Sequence, residues 1–440
     1  MTSVVPALTK PRKPKKLTVT ERVTDHGVRV IVVRKPGVPL VELRLRLPFA
    51  SARATHPARS AVLSDAMLTG AGGFDRAGFA AAVQALGGDV SVGVDPDRLM
   101  VAGNVLATNL APLVGLVATV LTDASYPDAE IATERDRLVE KLTIARSQAG
   151  VIAGEALGHR MWGEHPYARS LPGADDVAAT TPAQVRKLHA DLVRPRRAVL
   201  VVVGDVSPSR VLDQIDAALA GWTGVAPVGR VPALPESGPG PLLIVDRPDS
   251  VQSSLRMGAA AVPRIDEHYP ALQLANLIFG GYFSSRWTEN LREDKGYTYG
   301  PHSRIEHNDL GSSIMFDVEV ATEVTAPALL ETLYELGRIA SLPVTAAEVE
   351  SVRQYAIGSL ALSTATQAGL ASTLSALAAF GLGLDWVTEH PRRLAAVGVE
   401  EVSAAAAEFF APARLTSVVV GDAQTITAPL AALVAVTAEP

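Results

Sequence analysis

The same short pattern occurs twice in the 440-residue chain, and this limits the architectures that the chain can adopt. A Val-Val-Val-Gly-Asp segment stands at 201–205 and again at 418–422, an offset of 217 residues (422 − 205). Pro195 and Pro412, which precede the two segments, keep the same offset. One such segment is typical of any buried strand that ends in a turn, but several matches at one offset favour a duplication. Two copies are too few for a solenoid, so we predict two related domains.

The composition between the two copies predicts where one domain ends and the next begins. Residues 224–241 contain five prolines among several glycines, which is typical of an extended, semi-rigid linker. We therefore predict an N-terminal domain over 19–223 and a C-terminal domain over 242–434. Residues 1–18 carry a basic run broken by prolines, with no apolar segment after it. This predicts a flexible basic tail rather than a signal peptide.

The hydrophobic periodicity predicts both strands and helices within a half. Residues 28–33 and 41–47 are predicted strands, and the second alternates strictly between apolar and charged residues. One buried and one wetter face favour an antiparallel sheet. Residues 76–86 and 110–121 are predicted helices, and Thr181 is the predicted N-cap of another. The expected fold class is α+β, with two homologous halves that each pack helices on one face of an antiparallel sheet.

Composition excludes several classes of function. The chain contains no cysteine, which excludes thiol nucleophiles, disulfides and cysteine-ligated metal sites. Its formal net charge of −6 argues against a protein that binds nucleic acid by neutralising phosphates. The sequence contains no run of about 18 apolar residues, so it predicts no membrane span. We therefore expect a cytoplasmic protein without nucleic-acid or membrane partners.

Two motifs of the second half carry a family resemblance. Residues 279–286 read Phe-Gly-Gly-Tyr-Phe-Ser-Ser-Arg, and residues 291–299 read Leu-Arg-Glu-Asp-Lys-Gly-Tyr-Thr-Tyr. Together with Ala-Leu-Gly-Gly at 85–88 and His-Pro-Tyr at 165–167, they resemble the pitrilysin/insulinase family of metallopeptidases, particularly its processing-peptidase-like branch. The resemblance covers nearly the whole chain after the tail. It implies a clam-like pair of halves that enclose a chamber in which unfolded peptides are cut, with zinc in the first half.

The chain departs from the family at the zinc motif. Family peptidases carry H-x-x-E-H on a helix of the first half, where two histidines share one helical face and the glutamate activates a zinc-bound water. The matching stretch here places Val62 and Ala66 at the ligand positions and Asp65 at the position of the base. Glu140 falls where the resemblance implies a third ligand. Because valine and alanine have no lone pairs to donate, we predict a degenerate zinc site and no metal in this chain.

The histidines elsewhere offer no better zinc site. His159 and His165 are six residues apart in a stretch that a glycine and a proline interrupt. His302 and His307 fall in a predicted strand or loop, and residues five apart on a strand point to opposite faces. We therefore predict structural or surface roles for all four, and a loop position for His56 before its proline.

A second part of the family's machinery is retained. Active members carry an arginine and a tyrosine seven residues apart in the C-terminal half, and Arg292 and Tyr299 have this spacing. We predict a short helix over 285–293, a left-handed Gly296 that ends it, and a strand that starts at Tyr299. The resemblance implies that Arg292 binds substrate carbonyls and that Tyr299 donates to the oxyanion of the intermediate. Tyr297 would share a strand face with Tyr299, and the assignment to Tyr299 rests on the family spacing.

The pattern suggests a division of labour between two chains. The family contains two-subunit enzymes in which one subunit holds zinc and a related one helps to bind substrate. Our hypothesis is a non-zinc subunit that forms a heterodimer with a homologue carrying an intact zinc motif, and presents Arg292 and Tyr299 to that partner's peptide substrate. The sheet edge after the Gly-Gly at 87–88 is a further place where peptide could bind as an added strand.

Two alternatives remain open. The core subunits of the respiratory cytochrome reductase complex resemble the same family, and on that analogy the chain is a catalytically inert scaffold for assembly. The retained pair of Arg292 and Tyr299 favours the peptidase subunit over the scaffold. A self-sufficient hydrolase is disfavoured because the sequence contains no G-x-S-x-G turn.

Overall fold

The structure is a computed structural model that describes residues 17–169, 171–227, 231–236 and 238–438. Most of the predicted tail and residues 228–230 and 237 of the predicted linker lie outside the described residues. The first strand begins at Thr18, so the last residue of the predicted tail belongs to a sheet.

The first half contains eight strands and eight helices within the described ranges. The strands are β1 (Thr18–Val23), β2 (Arg29–Arg34), β3 (Leu40–Pro48), β4 (Gly70–Ala71), β5 (Phe74–Asp75), β6 (Asp89–Val94), β7 (Arg98–Leu106) and β8 (Val199–Gly204). The helices are α1 (His56–Ala66), α2 (Arg76–Ala85), α3 (Leu110–Asp123), α4 (Asp128–Ala145), α5 (Ala149–Trp162), α6 (Ala174–Ala178), α7 (Pro182–Leu192) and α8 (Pro208–Ala218).

The second half contains six strands and eight helices among the described residues. The strands are β9 (Leu242–Asp246), β10 (Gln252–Ala261), β11 (His302–Asn308), β12 (Gly311–Ala321), β13 (Thr416–Gly421) and β14 (Val436–Ala438). The helices are α9 (Tyr269–Asn276), α10 (Arg286–Thr288), α11 (Thr325–Ser341), α12 (Ala346–Ser363), α13 (Gln367–Ala378), α14 (Leu384–Ala396), α15 (Val399–Phe409) and α16 (Ala423–Ala431).

Each half is built on one six-stranded sheet. The strand order is β1-β2-β8-β3-β7-β6 in the first half and β11-β12-β10-β13-β9-β14 in the second. The expected α+β class with two similar halves is confirmed. The sheets are mostly antiparallel, but β2 pairs with β8 in parallel and β9 pairs in parallel with β13 and β14. Because β14 lies beyond residue 434, the second sheet extends past the predicted domain boundary.

The repeat of the sequence is matched by a repeat of the elements. Strands β8 and β13 start and end 217 residues apart (416 − 199 and 421 − 204). The helices α7 and α15, which precede them, have bounds with the same offset. Helices α5 and α13 agree with that offset to within one residue at each end. These matches support the duplication that we infer.

The helix ends follow the local sequence signals. The Thr181 side chain accepts a hydrogen bond from the backbone N–H of Gln184, and the two residues form a capping box at the start of α7. Helix α2 ends just before Gly87, which has a φ of +65°. His56 is the first residue of α1 rather than part of a loop. It is buried, and its Nε2 hydrogen-bonds to the carbonyl of Phe49 at 2.6 Å.

The central strands of each sheet are buried on both faces, and their second face is covered by a helix of the opposite half. In β2 and β8, alternate residues pack into the core of the first half, whereas the intervening ones contact α13 of the second half. The intervening side chains are those of Ile31, Val33, Val201 and Val203. Reciprocally, α5 of the first half packs on Val418 and Val420 of β13. The prediction that helices cover only one face of each sheet is therefore incomplete.

The packing of α13 on the first sheet also explains why β3 differs from its prediction. The alternating sequence predicts a wet charged face, but Glu42 and Arg46 are buried. Arg44 donates a hydrogen bond to Ser372 of α13 at 3.3 Å and pairs with Glu42 at 3.0 Å. The charged face is covered because a helix of the other half lies on it, and its charges are compensated in pairs.

A buried polar network joins the halves at the tip of the β11–β12 hairpin. The Tyr167 hydroxyl donates to Asp97 at 2.7 Å and accepts from the backbone N–H of Leu310 at 3.1 Å. Asp97 also accepts from the backbone N–H of Asp309 at 3.0 Å. Arg46 pairs with the Asp309 carboxylate at 2.6 Å. Each charge of the network has a partner from the opposite half.

Two histidines of the second half are packed against aromatic rings. The ring of His390 stacks on Trp386 at 4.2 Å and lies 5.5 Å from Tyr269. The ring of His307 also packs against Tyr269, with the two ring centres 5.2 Å apart. Burial and the charge of Arg264 together lower the pKa of His307 to about 3. Burial and the charges of Arg393 and Arg264 lower the pKa of His390 to about 4. Both rings are therefore neutral at neutral pH.

No helix within the described ranges is both long enough and apolar enough to cross a membrane.

Truncating a side chain of α13, the helix of the second half that packs on the first sheet, should lower the stability of both halves. We expect Leu374→Ala, which opens a cavity between α13 and the first sheet, to lower the free energy of unfolding by about 2–4 kcal/mol. Urea unfolding followed by circular dichroism measures it. The matched control is Leu362→Ala, because Leu362 is exposed on α12 and should change stability by less than about 0.5 kcal/mol. Equal effects of the two variants would contradict the described packing.

The buried histidines predict a loss of stability in acid. Their pKa values are depressed in the folded state, so the unfolded chain binds more protons below a pH of about 6.5. The free energy of unfolding should therefore fall as pH falls from about 6.5 to 4, by up to about 1.4 kcal/mol per pH unit for each histidine. Urea unfolding across this range measures the slope. His390→Phe should flatten it, whereas His268→Phe, at an exposed position, should not.

Candidate functional site

Arg292 and Tyr299 lie on an irregular segment between α9 and β11. The predicted helix over 285–293 is present only as the short α10 followed by a π-helical turn, Glu289–Asp294, which contains Arg292. Ser285 precedes α10, but its hydroxyl hydrogen-bonds to Thr288 Oγ1 at 2.9 Å rather than to a backbone N–H. Wide turns of this kind interrupt regular helices and are frequent at functional sites.

Buried anchors fix this segment to the second half. The Trp287 side chain is fully buried and its Nε1 donates to the Thr332 hydroxyl of α11 at 3.0 Å. Arg286 forms a bidentate ion pair with Glu348 of α12, in which Nε donates to Oε1 at 2.6 Å and Nη2 donates to Oε2 at 3.0 Å. Glycine is required at 280, because a Cβ there would lie 2.9 Å from both Ser303 and Trp287. The signature residues around Arg292 therefore hold its backbone in place.

The segment ends as the sequence predicts. Gly296 has a φ of +65°, the left-handed conformation that terminates helices without strain at glycine. Its N–H bonds to the carbonyl of Arg292 at 3.2 Å, and the N–H of Tyr297 bonds to that of Leu291 at 2.9 Å. The Thr298 hydroxyl then donates to the carbonyl of Glu319 on β12 at 2.6 Å. The chain is held on both sides of the turn.

The structure brings Arg292 and Tyr299 together. The Arg292 guanidinium lies 4.8 Å from the centre of the Tyr299 ring and 4.6 Å from that of Phe283. Both rings are largely exposed, Tyr299 to 88% and Phe283 to 62%. Arg292 also pairs with Glu293 at 3.2 Å. Contacts with two aromatic faces restrict the guanidinium while its edge stays available for hydrogen bonds.

Tyr299 is not at the start of a strand as expected. The next strand, β11, begins three residues later at His302, and Tyr299 lies in the connecting loop. Tyr297 therefore does not share a strand face with it, and packs instead against the core of the second half. Phe283 is a neighbour of Arg292 that the sequence analysis missed. Its position in the Gly-Gly-Tyr-Phe motif is the signal that could have found it.

At the predicted degenerate zinc site, the two ligand positions are occupied by core residues. Val62 and Ala66 lie on α1 with no exposed surface, and both belong to the hydrophobic core of the first half. A metal ion would meet only hydrocarbon there.

Asp65 lies on the same helix but remains accessible to solvent. Surrounding protein atoms raise its pKa by desolvation, the charge of Glu134 on α4 raises it further, and Lys141 of the same helix lowers it. Glu134 is buried and pairs with Arg76 and, at 3.2 Å, with Arg137. A carboxylate engaged by two arginines is a poor ligand for a cation.

Glu140 does not join this group. It is exposed on α4, about 200° around the helix from both Leu138 and Leu142, which are buried in the core. The next residue, Lys141, is the one whose charge acts on Asp65. An ammonium group at this place repels a metal cation. The available donors, two carboxylates and a lysine without histidine, do not fit zinc.

The other histidines do not form a metal site either. His159 is exposed near the end of α5, whereas His165 is buried and its Nε2 bonds to the carbonyl of Pro232 at 3.1 Å. His302 and His307 lie on β11 as predicted, and His307 bonds to the Ser312 hydroxyl at 2.7 Å. Among the residues that the structure describes, no group of three or more His, Asp or Glu side chains could hold a metal ion.

The predicted peptide-binding edge has the required place in the sheet. Strand β6 follows Gly87 and Gly88 directly and is the last strand of the first sheet, with β7 on its inner side. Its outer backbone groups face no other described strand, so a peptide could pair with them.

A family model for the peptidase M16 inactive domain matches residues 179–355. The matched region contains Arg292 and Tyr299 but not positions 62–66 of the degenerate zinc site. The resemblance to the pitrilysin/insulinase family is confirmed. The matched part of this M16-like chain thus resembles a domain described as inactive, and the first half holds Val62 and Ala66 at the positions of the zinc ligands.

Proteins that are similar to this chain include some described as zinc proteases and some described as inactive. An uncharacterized zinc protease of Mycobacterium tuberculosis is 26% identical over 340 residues, which are 74% of this chain and 75% of that protein. A probable inactive metalloprotease of Bacillus subtilis is 26% identical over 214 residues, 48% of this chain and 50% of that protein. The crystal structure of a peptidase M16 inactive domain from Pseudomonas fluorescens, 23% identical, has the same fold, with a TM-score of 0.86 over 92% of this chain and 98% of that one.

The donor set predicts that the chain does not retain zinc. After incubation with zinc and removal of excess metal, elemental analysis of the M16-like chain should find well below one zinc per chain, because Val62, Ala66 and Lys141 offer no suitable ligand. The homologue with the intact motif is the positive control. Stoichiometric zinc that disappears in an Asp65→Ala variant would contradict the prediction.

Proposed function

We propose that this chain is the non-zinc, substrate-binding subunit of a two-subunit metallopeptidase. It would pair, in the cytoplasm, with a homologous subunit that carries an intact H-x-x-E-H motif. Its role is to bind unfolded peptides and to present Arg292 and Tyr299 to the peptide in the partner's active site. The observation that carries the proposal is the stacking of a half-buried Arg292 on an exposed Tyr299, on a chain whose own zinc positions hold Val62 and Ala66.

The geometry of the pair suits hydrogen bonding to a peptide under attack. A free tyrosine hydroxyl is a neutral donor that can stabilise the oxyanion of a tetrahedral intermediate. The guanidinium of Arg292 offers several parallel N–H donors to the carbonyls on either side of the bond being cut. The stacking of Arg292 between Phe283 and Tyr299 reduces the entropy lost when these donors engage. The partner's zinc would supply the activated water.

The location of the pair supports the idea that it serves a partner. Tyr299 is exposed to 88%, whereas a tyrosine that packed on a sheet would be largely covered. Its loop is fixed by the hydrogen bond from Thr298 to β12 and by the buried Trp287, so the ring of Tyr299 is held at the surface in a defined position. A structural role for Arg292 alone, such as compensating the end of its helical turn, would not require two exposed aromatic rings beside it.

Peptide affinity would also come from the edge of the first sheet. An extended peptide that pairs with β6 gains backbone hydrogen bonds without demanding a particular sequence. Such binding favours unfolded chains, because only they can offer an unpaired strand.

Reconstitution tests the proposed roles. The chain and its zinc-bearing homologue, co-purified, should cleave a quenched fluorescent peptide. Tyr299→Phe and Arg292→Ala in this chain should each lower kcat/KM by about 100-fold, because each removes a donor to the charge that develops in the transition state. Measurement of kcat and KM separately should show that most of the loss for Tyr299→Phe is in kcat.

Matched substitutions control for nonspecific effects. Tyr334→Phe removes a hydroxyl from another exposed tyrosine, and Arg392→Ala removes an exposed arginine of α14. Both should leave kcat/KM within about twofold of wild type. If the complex forms and cleaves equally well with all four variants, the chain acts as an inert scaffold and the proposed roles are wrong.

A further inference from the structure

Two connected cavities form a groove where the first half meets the linker. They have volumes of about 320 and 550 Å3 and share Ala50, Leu192 and Pro227 in their walls. The first runs along the start of α1. The second continues between the end of β3, the hairpin tip at 309–310 and the linker residues 225–227 and 231. We call the two together the linker groove.

Five arginines line the linker groove. Arg53 and Arg59 line the first cavity, and Arg194, Arg196 and Arg197 line the second. Arg194 donates to backbone carbonyls, including that of Thr223 at 3.3 Å. The other four make no ion pair with any residue that the structure describes. Burial lowers the pKa of His56 beside the groove, and the charges of Arg53 and Arg59 lower it further, so their positive potential reaches the wall.

The acidic residues of the groove do not compensate these arginines. Asp97 accepts from Tyr167 and from a backbone N–H, and Asp309 pairs with Arg46. Asp191 pairs with Lys187 at 3.0 Å. Each acid is engaged elsewhere, so the groove carries an excess of positive charge although the whole chain has a formal net charge of −6. A concave surface of one sign concentrates ligands of the opposite sign.

The second copy of the repeat shows that the fold does not require these arginines. At the offset of 217, Arg194 and Arg196 correspond to Ala411 and Ala413, and only Arg197 has a basic counterpart, Arg414. The α1 and α9 helices, which both start with a residue followed by proline, align at an offset of 213 (269 − 56). There, the counterparts of Arg53 and Arg59 are an aspartate and a leucine, at 266 and 272. Four of the five charges are thus particular to one half.

The backbone under the groove is also strained. Arg197 has a φ of +72°, a conformation that non-glycine residues rarely adopt, and its N–H bonds to the carbonyl of Gly27 at 3.2 Å. Such conformations cost free energy and concentrate at functional sites. Here the conformation places the exposed Arg197 next to the exposed Arg196 at the mouth of the groove.

We propose that the linker groove binds an acidic, partly apolar polypeptide segment. Arginine side chains without partners match carboxylates, which they bind through two parallel hydrogen bonds. Leu192, Val225, Pro227 and Leu310 line the same groove and would bury apolar side chains of that segment. A nucleic acid fits less well, because the aromatic rings in the lining, Phe49 and His56, are buried and cannot stack on bases, and the chain as a whole is acidic. The inference does not depend on the roles of Arg292 and Tyr299.

Fluorescence anisotropy with labelled probes tests the proposal. The probes are a short peptide of alternating Glu and Leu, the same peptide with Lys in place of Glu, and a single-stranded DNA of similar charge. We expect the full chain to bind the Glu/Leu peptide, with an affinity that falls as salt rises, and not the Lys/Leu peptide. The double variant Arg53→Glu/Arg196→Glu should weaken this binding by at least about tenfold.

Controls separate the groove from net charge and from folding. Arg210→Glu removes an exposed arginine of α8 that forms no ion pair with any described residue and lines neither cavity, and it should weaken binding by less than about twofold. The double variant should keep the circular dichroism spectrum and unfolding midpoint of the wild type. A milder variant, Arg196→Ala, introduces the residue of the second copy and should weaken binding in the same direction. Absence of Glu/Leu binding, equal loss in Arg210→Glu, or binding of DNA in place of the peptide would overturn the proposal.

Discussion

The reciprocal packing of α5 and α13 determines how the two halves are arranged. Each helix packs on the sheet of the opposite half, so the central strands of the two sheets are buried on both faces. This explains why β2, β8 and β13 read as nearly continuous valine runs rather than as alternating strands. Each half therefore has a core of its own and shares a smaller hydrophobic cluster with the other half. The linker therefore joins two halves that are also held together by hydrophobic packing.

Within this shared framework the two halves have diverged in chemistry. The first half has hydrocarbon at Val62 and Ala66 and a lysine near Asp65, an arrangement that stabilises a core and rejects a cation. The second half keeps an arginine between two exposed rings on a loop with buried anchors. The linker groove shows the same divergence in charge, because four of its arginines have no basic counterpart in the other copy. Similar backbones thus carry different surfaces.

The sequence predicted features that depend on local signals. The capping box of Thr181, the end of α2 before Gly87 and the left-handed Gly296 each follow from a few neighbouring residues. Features set by distant packing were missed. The apolar face of α5 does not reveal which sheet it covers, and the charged residues of β3 look exposed until α13 is placed over them.

The candidate site shows the same limit. The pairing of Arg292 with Tyr299 was predicted from spacing, but the loop conformation of Tyr299 depends on Thr298 reaching β12. The position of Glu140 depends on helical phase, since one residue on a helix turns the side chain by about 100°. Lys141, which acts on Asp65, became visible only when α1 and α4 were in place.

The valine and alanine at 62 and 66 have a consequence for the history of the chain. Both side chains are now part of the tightly packed interior, and polar imidazoles there would have to be accommodated by their neighbours. A zinc site at these positions would therefore need several coordinated changes before any benefit of metal binding appeared. A single histidine at either position would disturb the packed interior without supplying a second ligand.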